Sequence, residues 1–139
     1  MNYTELDANA CNLSAQAEQI HSIFFVLEKA CESIKTTNRY KFAVEVSSLY
    51  EKASKLSDKL LLVYHRENNY FCTESLEFMF ALSCSLESLI QHTLEKLDTS
   101  DLDGDCLHIL NTIYGAKILA VTLREDFETV LKNSTEIAA

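Results

Sequence analysis

The sequence predicts an all-α protein, an elongated antiparallel four-helix bundle running up-down-up-down. Three observations predict it. Apolar residues recur at alternating steps of four and three over long stretches, the 3.5-residue period of helices packed nearly parallel to one another. The chain has no proline and only two glycines, Gly104 and Gly115, which suits a few long helices with short connections and suits a β-rich fold badly. Its 139 residues are the length of one domain, able to bury roughly two-thirds of the surface its unfolded chain exposes.

Helix 1 is expected over about residues 5–35. Its seam is Leu6, Ala10, Leu13, Ala17, Ile20, Phe24, Leu27, Cys31 and Ile34. Thr4, with Asp7 three residues on, reads as a weak capping box, and Glu5 and Asp7 lie where the helix dipole favours acids. Thr36, Thr37 and Asn38 supply the break. Ile23 to Leu27 is apolar throughout, so Phe25 and Val26 point away from the seam; a segment apolar all round is either surrounded or a contact surface.

Helix 2, over about 39–67, carries Ala43, Val46, Tyr50, Ala53, Leu56, Leu60 and Val63 on its seam. Its end, Leu60 to Tyr64, is again apolar on all sides, and Asn68-Asn69 reads as a left-handed cap and turn. Helix 3, over about 73–97 and capped by Thr73, has the seam Cys72, Leu76, Met79, Ser83, Leu86, Ile90, Thr93 and Leu97. Phe78, Leu82 and Leu89 widen its apolar arc well past an ordinary stripe. Helix 4, over about 101–132, repeats the pattern at Leu102, Cys106, Ile109, Ile113, Ala116, Ala120, Leu123, Phe127 and Val130. Ser100 stands three residues before Asp103 in a capping-box arrangement, and Gly104 leaves room for a start at Asp103 or later. Gly115, inside this helix, reads as a close crossing or a bend. Residues 133–139 are expected to fray. The whole chain, 1–139, is read as a single domain.

Charge divides the chain. From Lys35 to Arg66 there are seven basic and three acidic residues, whereas Glu67 to Asp105 holds nine acids and one base. Helices 2 and 3 are thus oppositely charged neighbours, though exposed ion pairs contribute under about 1 kcal/mol each. The total of −9 opposes direct binding to nucleic acid, which needs clustered Lys and Arg, and favours a basic protein partner. Five cysteines without a CxxC pair or a leading signal peptide read as reduced thiols in a cytoplasmic protein. No uninterrupted apolar run approaches 18 residues, so no membrane span is expected.

Sites for chemistry are weak. Glu18 and His21 form an E-x-x-H, but a di-iron bundle needs a second copy and two more inward glutamates. Asp101 to Asp105 resembles a calcium loop only in composition. With Gly104 at position six, Thr99 and Leu110 occupy the two end positions, and neither is a suitable ligand. Cys31, His92, Cys106 and His108 come near one end of an up-down bundle, without the spacing of a compact zinc motif. No G-x-S-x-G, P-loop or Rossmann glycine pattern is present. No enzyme activity, cofactor or metal is expected.

The features in excess of a plain bundle are the acids of helix 3 and its loop, and apolar residues beyond the seams. An acidic rim around apolar anchors describes a docking surface for a basic partner. The expected acids are Glu74, Glu77, Glu87, Glu95, Asp98, Asp101, Asp103 and Asp105. The expected anchors are Phe78, Phe80 and Leu89 on helix 3, with Phe25 and Val26 on helix 1. By analogy of class alone, small acidic helical proteins such as anti-CRISPR, immunity and antitoxin proteins of phages, plasmids and bacteria inhibit basic, nucleic-acid-handling targets. The leading expectation is therefore a non-enzymatic inhibitor of that kind. The alternative is a bundle that self-associates, with a homodimer through Phe25 and Val26; a metal-dependent enzyme comes third.

Overall fold

The computed structural model describes residues 3–34, 39–67, 73–97, 99–100 and 102–138, with side chains for 15–34, 39–65, 74–97, 99–100 and 102–132. They form four helices, α1 (Tyr3–Ser33), α2 (Tyr40–Glu67), α3 (Thr73–Lys96) and α4 (Gly104–Ala138). α1 packs against α2 and α4, and α3 packs against the same two. The result is a closed ring in which chain neighbours are also neighbours in space, as short connections between antiparallel helices demand. At about 1.5 Å per residue, α4 alone is about 50 Å long.

From Leu76 to Leu97 on α3 and from Cys106 to Val130 on α4 the seams fall where their spacing puts them, whereas Leu102 precedes α4 and is half-buried. Met79, Leu86 and Ile90 on α3, and Ile109, Ile113, Ala116, Ala120 and Leu123 on α4, are completely buried. The two polar seam positions of α3 are satisfied within their own helix. Ser83 Oγ donates to the Phe80 carbonyl at 2.7 Å and Thr93 Oγ1 to that of Leu89 at 2.9 Å.

On α1 from Gln16 onward, and on α2, every second step is displaced by one residue; the side chains of Leu6, Ala10 and Leu13 lie outside the described ones. The buried line of α1 runs through Gln16, Ile20, Ile23, Leu27, Ala30 and Ile34, with Ile23 and Ala30 in place of Phe24 and Cys31. On α2, Phe42, Leu49 and Ser57 are buried where Ala43, Tyr50 and Leu56 were expected. The displaced residues flank the core. The Phe24 and Tyr50 rings meet at 5.5 Å in the α1–α2 groove, the flanking position that a helix with two neighbours fills besides its central line.

Helix ends also differ, by one residue at the start of α2 and the end of α3, by two at both ends of α1, and by more at α4. α1 starts at Tyr3, so Thr4 lies within the helix and does not precede it. α4 starts at Gly104, three residues later than expected, and runs to Ala138 beyond the expected end at 132. Asp103 is its N-cap, its Oδ1 accepting the Cys106 N–H at 2.8 Å. The breaks expected at Thr36-Thr37-Asn38 and Asn68-Asn69, and the seam residue Cys72, lie outside the described residues.

Gly115 is not there for a close crossing within the bundle. A Cβ built on it meets nothing within 4 Å. Glycine in a helix interior costs about 0.8–1.0 kcal/mol relative to alanine. Gly115→Ala is therefore expected to stabilise the fold by about 1 kcal/mol and raise the melting temperature by about 3–5 °C, read by circular dichroism in dilute solution.

One helix bears on the expectation about membranes. The stretch Gly104–Lys132 of α4 is long and apolar enough to cross a bilayer by length and composition, with a mean hydropathy of 1.4 over its best 18 residues. Counting uninterrupted apolar runs missed it, because Asn111, Thr112 and Lys117 break the runs while the residues around them keep the mean high. In this fold the inner seam of α4 is core. Yet only 39% of that window is buried, so part of the apolar excess faces outward.

Candidate functional site

The six described acids of the expected docking surface do not form one patch. Glu74 and Glu77 are exposed at the start of α3, while Glu95 is exposed at its end, near Asp103 and Asp105 at the start of α4. Glu77 and Glu95 are separated by 18 residues of helix, about 27 Å. The outer surface between them carries Ala81, Ser85 and Ser88. Asp98 and Asp101 lie outside the described residues.

Glu87 is committed within the bundle. Its carboxylate takes the Arg124 Nε–H, tying α3 to α4, and Arg124 Nη1 reaches Glu128 at 3.1 Å. Both partners of the cross-helix pair are about three-quarters buried, with side chains 27% and 23% exposed. The hydrogen bond that Arg124 donates to Glu87 is the main cause of its raised pKa. The pair sits in a groove of about 510 Å³ also lined by Cys84, Gln91, His92 and Glu95, where Gln91 donates to Glu95 at 2.9 Å. Burial pushes the Cys84 thiol up against the opposing pull of Arg124, which keeps it protonated and unreactive at neutral pH. Cys84 and His92 are eight residues apart, about 12 Å along the axis and beyond a nucleophile–base hydrogen bond.

The expected apolar anchors divide in the same way. Val26, Phe80 and Leu89 are half-buried and pack against the core. Phe25 is 56% exposed, with the Lys29 ammonium 5.2 Å from its ring centroid. Phe78 is 49% exposed and is neighbour to Glu74 and Glu77 on the first two turns of α3.

One exposed apolar residue escaped the sequence reading. Phe42 and Leu97 line one cleft between the start of α2 and the end of α3. Twenty residues onward in α2 and twenty back in α3, Leu62 comes level with Glu77. Leu62 is 68% exposed. Leu62 and Phe78 are thus both exposed at about the same level of adjacent helices, with Glu74 and Glu77 on α3 and Lys55 and Lys59 on α2. The signal was present in the all-apolar run Leu60 to Tyr64, whose middle residue has no inward direction left to take.

At the other end Asp103 has a structural task. The N–H of Cys106, first among its causes, holds its carboxyl below the ordinary value of 3.8, and Arg39 adds to this. A carboxylate with a depressed folded pKa adds stability that is full above its unfolded pKa and lost as pH falls through the folded one. Asp103→Ala is expected to melt below the parent at neutral pH, with the gap closing under acid. Melts of both proteins between about pH 7 and pH 2 check this.

Among the described residues, no group of three or more His, Cys, Asp or Glu side chains is placed to hold a metal ion. Of the four zinc candidates, Cys106 is buried in the core, Cys31 is half-buried, and His92 and His108 are exposed. Glu18 and His21 are both exposed on α1. Compared with known proteins, the chain matches no family model, and no curated protein or solved structure is significantly similar to it.

Proposed function

We propose that the protein is a non-enzymatic binding module that docks on a basic protein partner through the first turns of α3. The observation that carries this reading is the exposure of Phe78 beside the exposed carboxylates of Glu74 and Glu77 on α3, with Leu62 exposed at about the same level of α2. Apolar anchors rimmed by charge are the composition of a protein interface. The lysines on the α2 side turn a basic partner toward α3, so the acids steer and orient while the aromatic ring holds. With a net charge of −9, the chain competes well for a surface that otherwise meets phosphates. Inhibition of a nucleic-acid-handling protein, by occupying its basic site, is the mechanism this implies. Glu95, Asp103 and Asp105, some 27 Å away, extend the field without touching the anchors. The test is the association rate with the partner recovered from the native host, for the parent and for a protein carrying Glu74→Lys and Glu77→Lys.

A further inference from the structure

We propose that the outer face of α4 is a self-association surface, on which a second copy of this chain docks antiparallel about a two-fold axis beside Asn111. This inference does not depend on the α3 surface, and α4 holds a seam of its own. Leu107, Asn111, Tyr114, Ile118 and Val121 follow one another at steps of four, three, four and three, the spacing of a helix–helix interface. They lie outside the core: Leu107, Tyr114 and Ile118 are 47%, 45% and 68% exposed. The inner seam of the same helix is buried, so α4 is apolar on two sides. That is why it reads as apolar enough for a membrane while most of its best window remains uncovered.

Charge identifies the occupant. Between Cys106 and Leu123 there is no acidic residue and a single charged one, Lys117. In a chain of net charge −9, this is where another acidic copy can approach with least repulsion. A basic partner would find no counter-charge there.

Gly115 gives the second reason. It weakens the helix, yet a side chain on it would meet nothing inside the bundle. Residues equally far on either side of a two-fold axis face each other across it. With the axis beside Asn111, Leu107 of one copy stands opposite Gly115 of the other, and Ile118 stands opposite Gly104. These two apolar residues thus meet positions with no side chain, where backbones approach closely, while Tyr114 stands opposite His108. Lys117 comes level with the acidic helix start at Asp103 and Asp105. Asn111 meets its own copy, and a single polar residue in an apolar seam fixes register at a cost in affinity.

The stripe is about 21 Å long on a helix about 10 Å wide, a smaller footprint than the ~800 Å² per partner of a standard interface. The dimer is therefore a reversible one, formed at micromolar concentrations and above. Sedimentation equilibrium of the full chain should show monomer passing to dimer as concentration rises. Ile118→Lys should weaken association at least tenfold with unchanged helicity and melting temperature in dilute solution. Asn111→Leu should tighten it at least tenfold, and Phe25→Lys, on the outer face of α1, should leave it unchanged. A parent that stays monomeric up to about 1 mM overturns the proposal. So does a dimer indifferent to Ile118→Lys and Asn111→Leu, or one abolished by Phe25→Lys. Binding of the monomer to phosphatidylcholine vesicles, lost in Ile118→Lys, would assign the face to lipid and equally overturn it.

Discussion

Phe127→Ala is expected to destabilise the bundle by about 3–5 kcal/mol, the cost of removing a buried aromatic ring and leaving its cavity. Phe127 is fully enclosed on the α4 seam, on a helix that packs against both α1 and α3. Collapse from either neighbour would strain its other contacts, which keeps the cost at the upper end. Against a total stability of about 5–15 kcal/mol, the change should lower the melting temperature by about 10–20 °C. Phe25→Ala is the matched comparison. Phe25 is largely in solvent, and its contact with Lys29 is an exposed cation–π pair of about 0.5–1 kcal/mol. Equal losses in the two variants, measured by urea unfolding, would show that the buried line of the bundle is misplaced.

The second large effect concerns binding. On the proposed docking, reversing Glu74 and Glu77 to lysine removes the charge that steers a basic partner toward Phe78 and replaces it with repulsion. Both side chains are exposed, and surface substitutions of this kind usually change stability by no more than about 0.5 kcal/mol each. Helicity and melting should therefore hold while association with the partner slows by about tenfold or more. Phe78→Ala should do the reverse, leaving association nearly unchanged and accelerating dissociation, as loss of a central anchor does. Adding Glu95→Lys to the double variant should slow association only a little further, because that carboxylate is some 27 Å away.

The ring of four helices was legible because the 3.5-residue period survives any uncertainty about helix ends. The seams of α3 and α4 were legible residue by residue, since small or polar positions such as Ser85, Ser88 and Lys117 bound their apolar lines. α1 was not, because the run Ile23 to Leu27 offers several frames of three and four. The choice between Phe24 and Ile23 is made by the neighbouring helices, α2 and α4, which the helix's own sequence does not contain. At the start of α4 the sequence offered Ser100 as the cap, whereas Asp103 caps it, one residue before the helix begins at Gly104. Of the docking residues, exposure of Glu74, Glu77, Phe25 and Phe78 followed from their positions off the seams. The capture of Glu87 by Arg124 did not, since it depends on the register of α3 against α4. The outer stripe of α4 was hidden because its inner seam accounted for the helix by itself.

The association rate constant of the parent with its partner, followed against salt, tests the docking account most directly. Charges on α3 that steer the encounter lose reach as the screening length falls to about 8 Å at physiological ionic strength and about 3 Å at 1 M. The account predicts a rate that falls steeply with salt for the parent, and a flat or rising dependence when Glu74 and Glu77 are lysines. A parent rate insensitive to salt and equal to that of the reversed protein would contradict it, leaving the acids of α3 as a solvated surface and nothing more.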